Sequence, residues 1–298
     1  MNPETPRPAG LLTVDVEDYF QVEAFADRVD RQTWADYPSR VEANTNTILN
    51  LFDECGVKGT FFILGWVAER FPQVVREIVR RGHEAACHSY WHRLVYSLSR
   101  QEFHEDTQRA KARIEDATGS AVYGYRAPNF SVSRKSLWAL DVLTELGFRY
   151  DSSIFPIRHD VYGIPDAPRR PFRFDTPSGP LVEFPMTTFR WWGTPNLPIG
   201  GGGYLRIFPF WITRAGVRRA SHSGLPLITY THPWEVDPAQ PRLRGRLTSR
   251  LRHYTNLGKT AARLRKLISM VRFSSFRDSG LVEATLAAPP ESLARISL

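Results

Sequence analysis

Two histidines, His88 and His92, stand four residues apart in the run Ala85–Val95, A-A-C-H-S-Y-W-H-R-L-V. Four residues is about one helical turn, so both imidazoles can reach one point in space. A His pair at that spacing is a common way to hold a divalent metal, and it equally serves to cap a buried polar network. Other donors must therefore converge on the pair before it means metal. Candidates recur along the chain: Asp15, Glu17 and Asp18 in T-V-D-V-E-D, Arg126 in R-A-P-N-F, Asp151, and His232 in Y-T-H. Cys87 adjoins His88, but with Cys55 the only other cysteine it reads as a small buried side chain. His83, His104, His159, His222 and His253 have no comparable partners in sequence and read as surface or structural residues.

Each of these candidates closes a short apolar run. Leu11–Val16 reads as a first buried strand ending in the acidic cluster. Ser39–Cys55 is expected as a helix stopped at Gly56, Gly59–Leu64 as a second strand, and Ala68–Arg81 as a helix closed by Gly82. A strand around Glu84–Cys87 leads into the His pair. Ser99–Thr118 is predicted as a long helix with a Ser99/Glu102 capping box and a stop at Gly119. Val122–Arg126 is a fourth strand, Ser133–Leu146 a helix, and Phe148–Tyr150 a short strand running into Asp151. This alternation predicts an α/β fold whose parallel sheet is closed into a barrel or opened as a doubly wound layer. In a parallel barrel the strand ends meet on one face, which brings the scattered residues to one place.

From Ser152 to Phe210 the texture changes to Pro, Gly and aromatic residues, with a hairpin expected at Phe172–Phe184 around Pro177–Gly179. Gly200–Gly203 lacks the Lys-Ser/Thr of a phosphate loop and reads as a tight backbone loop. Phe208–Ser223 is expected as a short helix and Leu225–Thr231 as the last buried strand, delivering His232. Arg246–Phe273 reads as one basic amphipathic helix packing through Leu247, Leu251, Leu264, Leu267 and Met270, and the stretch from Gly280 as low in structure. The expected organisation is a flexible leader over 1–10, a barrel over 11–240 with an insertion at about 152–210, a basic helical extension over 241–279, and a disordered tail over 280–298.

With 298 residues and 42% hydrophobic composition the chain can bury one large core. No run approaches the roughly 18 apolar residues of a membrane span, and the Pro-rich Met1–Gly10 lacks the layout of a secretory signal, so the expectation is a soluble, cytoplasmic protein. Two cysteines exclude a disulfide scaffold. The net charge of +8 has much of its excess after Arg242, where the aromatic interleaving of nucleic-acid modules is missing. The basic segment is expected to pack on the barrel, with peripheral contact to an anionic membrane as a second role.

At its candidate residues the chain resembles a known family. T-V-D-V-E-D at Thr13–Asp18, H-S-Y-W-H at His88–His92, R-A-P-N-F at Arg126–Phe130, the Asp151 region and Y-T-H at Tyr230–His232 are similar, in order and spacing, to the five motifs of the polysaccharide deacetylases (NodB-homology, carbohydrate esterase family 4). Gly200–Tyr204 and the basic segment His253–Phe273 resemble the subgroup found in bacterial exosortase-linked exopolysaccharide gene clusters. The resemblance implies a distorted (β/α) barrel, a divalent metal, and hydrolysis of an N-acetyl group from an amino sugar in a polysaccharide or its lipid-linked precursor. An amide is a poor electrophile, so this chemistry needs a Lewis acid, a base for water and an acid for the leaving amine.

Mapped onto this chain, the resemblance makes Asp15 the base, with Arg126 pairing and orienting it. His88, His92 and one carboxylate become the metal ligands. Glu17 is favoured over Asp18, because residues two apart on an extended backbone point the same way as Asp15. His232 becomes the acid, with Asp151 orienting it, and the Asn129 backbone N–H shares oxyanion stabilisation. Trp191 and Trp192, with Trp91, Tyr204 and Trp234, are candidate sugar-stacking faces. Two histidines and a carboxylate suit zinc and its first-row neighbours. Competing expectations are a small non-sugar amide hydrolase on the same fold, and a non-catalytic carbohydrate-binding protein.

Overall fold

A computed structural model describes residues 9–159, 162–190 and 196–291. Its centre is strand β1 (Ala9–Val16), buried along all but its first residue, which explains why it reads as a nearly continuous apolar run. In chain order there follow α1 (Val41–Glu54), β2 (Thr60–Ile63), α2 (Gly65–Arg70), α3 (Pro72–Arg80), β3 (Glu84–Cys87), α4 (Arg100–Thr118), β4 (Gly124–Tyr125), α5 (Trp138–Glu145) and β5 (Tyr150–Asp151). Beyond Asp151 come β6 (Phe172–Thr176), β7 (Gly179–Glu183), β8 (Thr188–Phe189), β9 (Leu197–Pro198), α6 (Gly202–Ile207), α7 (Phe210–His222), β10 (Leu227–Thr231), α8 (Leu247–Tyr254), α9 (Thr260–Met270), β11 (Arg272–Ser274) and α10 (Leu281–Leu286). The main sheet runs β10-β1-β2-β3-β4-β5-β7-β6, parallel except for the predicted β6–β7 hairpin, and β11 pairs with the first residues of β1.

Alternation along β1 sorts its side chains. Leu12, Val14 and Val16 join the larger apolar cluster between sheet and helices, whereas Leu11 joins a second cluster with Phe62, Ala86, Val182, Met186, Ile228 and Tyr230. That inner cluster draws on strands from both ends of the sheet. The ends are bridged by irregular backbone: the Thr187 hydroxyl accepts from the Ile228 N–H at 2.7 Å, and the Tyr230 N–H donates to Gly200 O at 2.6 Å. The expected distorted barrel is thus an eight-strand path whose gap is spanned by loops rather than by a ladder. Gly201, at φ 127°, passes so close to Tyr230 that a Cβ there would stand 1.9 Å from its carbonyl oxygen.

Several local expectations are corrected. The helix read over Ala68–Arg81 breaks at Phe71–Pro72, because proline cannot continue the preceding helix. The single helix read over Arg246–Phe273 is α8 and α9, separated at Asn256 with φ 56°, and its end turns into β11. Leu264 and Leu267 are buried as expected, but Leu247 and Leu251 are 69% and 59% exposed. Where low structure was expected after Gly280, α10 packs beside β7 with Val282 buried, and Arg149 pairs with Glu283 at 2.8 Å. The Ser99/Glu102 capping box and the left-handed Gly119 that closes α4 are as predicted.

Candidate active site

Strand register sets the site's level. Val14 lies opposite Thr231, Val16 opposite Ile63, Ile63 opposite Cys87, Cys87 opposite Tyr125 and Tyr125 opposite Asp151. Asp15, Glu17, His88, Arg126 and His232 therefore leave the carboxyl ends of their strands at nearly one height, the side on which parallel sheets place chemistry.

Glu17, His88 and His92 form a buried group whose ligand atoms all lie within 4.8 Å of one another. The four-residue spacing is achieved without a helix: Ser89 and His92 take φ of 64° and 52°, folding the chain back on itself. The loop is tied down by Gly65 N–H to Ser89 O at 2.8 Å, Tyr90 N–H to Asp106 at 2.7 Å, and Arg31 to the carbonyls of Trp91 and His92. His88 Nδ1 lies 2.7 Å from Arg126 O, and since a carbonyl only accepts, Nδ1 carries the proton and Nε2 keeps its lone pair. Burial lowers the His88 pKa to about 4, so its ring is neutral near pH 7.

Glu17 Oε2 and His92 Nε2 approach to 2.8 Å without the alignment of a hydrogen bond, and Glu17 Oε2 and His92 Nδ1 are both buried with no partner. Burial pushes the Glu17 carboxyl up, but His92, His232 and His88 together hold it at about 2. Two imidazoles and an ionised carboxylate with an orphaned oxygen, grouped at one point, fit a divalent cation. Asp18 does not contribute. Its oxygens accept from Tyr19 N–H, the Ser39 hydroxyl, Arg40 N–H and Val41 N–H, fixing the start of α1.

Beside this group lies Asp15, whose Oδ1 accepts from Arg126 Nη1 at 2.7 Å. Arg126 is fully buried, bonds also to Thr13 and Ser152, and lies over the Phe62 ring, so Asp15 is held in one orientation. His232 Nε2 faces Glu17 Oε1 at 3.7 Å and Asp15 Oδ2 at 3.9 Å. Its Nδ1 meets Glu235 Oε1 at 2.6 Å. Burial opposes a charged imidazole here, yet Glu235, Glu17 and Asp15 outweigh it and raise the His232 pKa to about 9.

Asp151 is not the partner of His232. It sits beside Glu183 and accepts from the Ser153 hydroxyl at 2.5 Å, and burial raises both carboxyls, so the pair retains a proton. The partner is Glu235, which the sequence reading passed over. Its signal was present in H-P-W-E, a residue followed three positions later by Glu, and Glu235 indeed accepts from the His232 N–H as in a capping box. Glu235 is in turn paired with the buried Arg206, whose guanidinium also donates to the carbonyls of His253 and Thr255. Nothing in the sequence pattern marked Arg206.

Trp234 is buried between His232 and His253, with ring centroids at 5.0 and 4.1 Å, and donates Nε1–H to Glu17 at 3.1 Å. Its role is to position Glu17, which leaves no face for sugar. The Tyr204 hydroxyl lies 3.0 Å from that of Tyr162. Trp191 and Trp192 lie outside the described residues. Asn129 takes a left-handed conformation, φ 51° and ψ 27°, in the turn after Arg126. His83 and His253 are buried and structural rather than surface residues, with His83 Nδ1 accepting from Gly59 N–H and His253 Nε2 2.7 Å from Gln240 Oε1.

Residues 26–150 match the family described as polysaccharide deacetylase. Over those residues the chain is similar to the polysaccharide deacetylases. Residues 152–280 match a family described only as a domain of unknown function (DUF3473). The site crosses these bounds: His88, His92 and Arg126 fall in the deacetylase match, Asp15 and Glu17 precede it, and Arg206, His232 and Glu235 fall in the second. β1, which precedes both matches, pairs with β2 of the first and with β10 and β11 of the second, so the two matched stretches build one sheet.

A peptidoglycan deacetylase of Helicobacter pylori is 29% identical over 113 residues, 38% of this chain and 38% of the relative. The chain spans between 18% and 44% of the length of the curated relatives it matches here. A structure described as a probable polysaccharide deacetylase of Pseudomonas aeruginosa superposes with TM-score 0.63 at 15% identity, over 97% of each chain. Puue allantoinase does so with 0.62 at 16%, over 97% of this chain and 94% of that one. At such identities the likeness is one of fold, and this chain shares it with both.

Proposed function

We propose that this chain catalyses metal-dependent hydrolytic N-deacetylation of an acetamido sugar in a bacterial exopolysaccharide or its precursor. The observation that carries the reading is the buried Glu17–His88–His92 group, with Asp15 and His232 both facing it. Glu17, His88 and His92 would hold a divalent cation, which would supply Lewis acidity toward an amide carbonyl and toward water. Zinc is the expected ion, with other first-row metals able to occupy the same donor set.

Asp15, held by Arg126, accepts the proton of the attacking water at Oδ2, the oxygen that does not bond Arg126. His232, kept protonated by Glu235 at Nδ1, delivers the Nε2 proton to the departing amine. The Asn129 amide, in the turn beside Arg126, is assigned a share in stabilising the oxyanion. Asp151 supports the site from below, next to Arg126 and Ser153, rather than through His232. Both cysteines are free, which supports a reducing, cytoplasmic setting.

The test is acetate release from N-acetylated oligosaccharides, alongside a panel of small non-sugar amides suggested by the fold shared with an allantoinase. Asp15→Asn and His232→Ala are expected to lower turnover by at least about a hundredfold with unchanged folding. Wild-type turnover in either variant removes the role assignment, and hydrolysis confined to the small amides removes the sugar reading.

A further inference from the structure

The charge of this chain is divided. From Phe184 to Arg277 it carries 16 Lys and Arg against two acids, Glu235 and Asp237, while the rest carries 23 against 29. Both acids are buried, paired with Arg206 and Arg40, so this part of the chain presents no exposed carboxylate. The same part holds Ile207, Trp211, Leu247 and Leu251, four of the six large apolar side chains exposed among the described residues.

The fold gathers these features. Leu247 and Leu251, one turn apart on α8, lie roughly 200° round the helix from His253, which faces inward onto Trp234. Arg206 and Asn256 lock the end of α6 to the end of α8, so Ile207 adjoins that edge, and Trp211 opens α7 just beyond Pro209. Arg244, Arg246, Arg250 and Arg252 are exposed around Leu247 and Leu251 and make no ion pair among the described residues. Of the acids on the neighbouring turn that packs against α8, Glu23 lies 3.7 Å from Arg31 and Asp27 3.7 Å from Arg28.

We propose that this face, built on α8 and the α6–α7 junction, docks on an anionic lipid bilayer. A soluble polyanion rewards the arginines alone, whereas a bilayer rewards the exposed leucines beside them as well. The docking face arises from tertiary structure: it is the outer side of a helix whose inner side supports Trp234 and Glu17. Its binding is independent of what the site hydrolyses.

The experiment is co-sedimentation of the full chain with vesicles of phosphatidylcholine alone or with about one third phosphatidylglycerol. Partitioning is expected to be at least about tenfold stronger on the anionic vesicles, and to fall by a similar factor between about 0.05 and 0.5 M salt. Leu247→Gln with Leu251→Gln is expected to weaken it about tenfold, and Arg246→Gln and Arg250→Gln about fivefold each, with unchanged thermal unfolding. Equal partitioning on both vesicles, absence of binding, or wild-type binding by the double leucine variant would overturn the proposal. The last of these would make the face a polyanion site.

Discussion

Replacing Glu235 with Gln tests the His232 assignment most sharply. The Nδ1–Oε1 contact of 2.6 Å leads the influences that raise His232 from 6.5 to about 9, against an opposing burial effect. That rise corresponds to about 3 kcal/mol favouring the charged ring. Removing the carboxylate leaves only Glu17 and Asp15 to oppose burial, so the midpoint should fall by at least about one unit, and turnover by about a hundredfold. Because the folded pKa lies above the unfolded value, the stabilisation from His232 is complete below about pH 6.5 and fades as pH rises through about 9. Glu235→Gln should flatten that slope. It also strands the buried Arg206, at a cost of about 3 kcal/mol, which Glu235→Gln with Arg206→Met should recover without restoring the midpoint. The assay is NMR titration of the His232 ring in chelator-treated protein, with His232→Gln for assignment. An unmoved midpoint in Glu235→Gln would refute the reasoning.

Asp18→Ala should cost about 2 kcal/mol or more of stability, measured by denaturant unfolding, because three donors at the start of α1 lose their acceptor, while metal content stays at the wild-type level. Glu183→Gln should be neutral or stabilising near pH 7 by thermal melts: burial raises the Glu183 carboxyl well above its ordinary value, so wild type loses stability as pH rises above the ordinary carboxylate range, and the amide variant loses less. Trp234→Phe keeps the ring stack but removes the 3.1 Å donor to Glu17, and metal affinity should fall about tenfold by competition with a chelator.

What was legible in the sequence was the order of polar residues after apolar runs, since a parallel sheet turns that order into a common height. That Glu17 rather than Asp18 lies beside His88 and His92 was also legible, because period-two alternation continues from Asp15 past the end of β1. Two kinds of feature escaped. Backbone devices escaped because their residues are unexceptional: the positive φ of Ser89 and His92 that replaces a helix, and the left-handed Asn256 that divides α8 from α9. Partnerships made by tertiary packing escaped for another reason. Asp151 ends β5 at the level of the site and the resemblance implies that it orients His232, yet Glu183, opposite it on β7, takes its carboxyl. Arg206 reaches Glu235 from 29 residues away, across a helix and a strand, so no local spacing marks the pair.

The central claim is that Glu17, His88 and His92 form one cation site. Metal stoichiometry of the purified chain, measured by mass spectrometry after zinc loading and desalting, tests it most directly. One ion per chain is expected for wild type and for Asp18→Asn, and almost none for Glu17→Gln, His88→Ala or His92→Ala. Undiminished metal in Glu17→Gln and His92→Ala, with both folded, would contradict it.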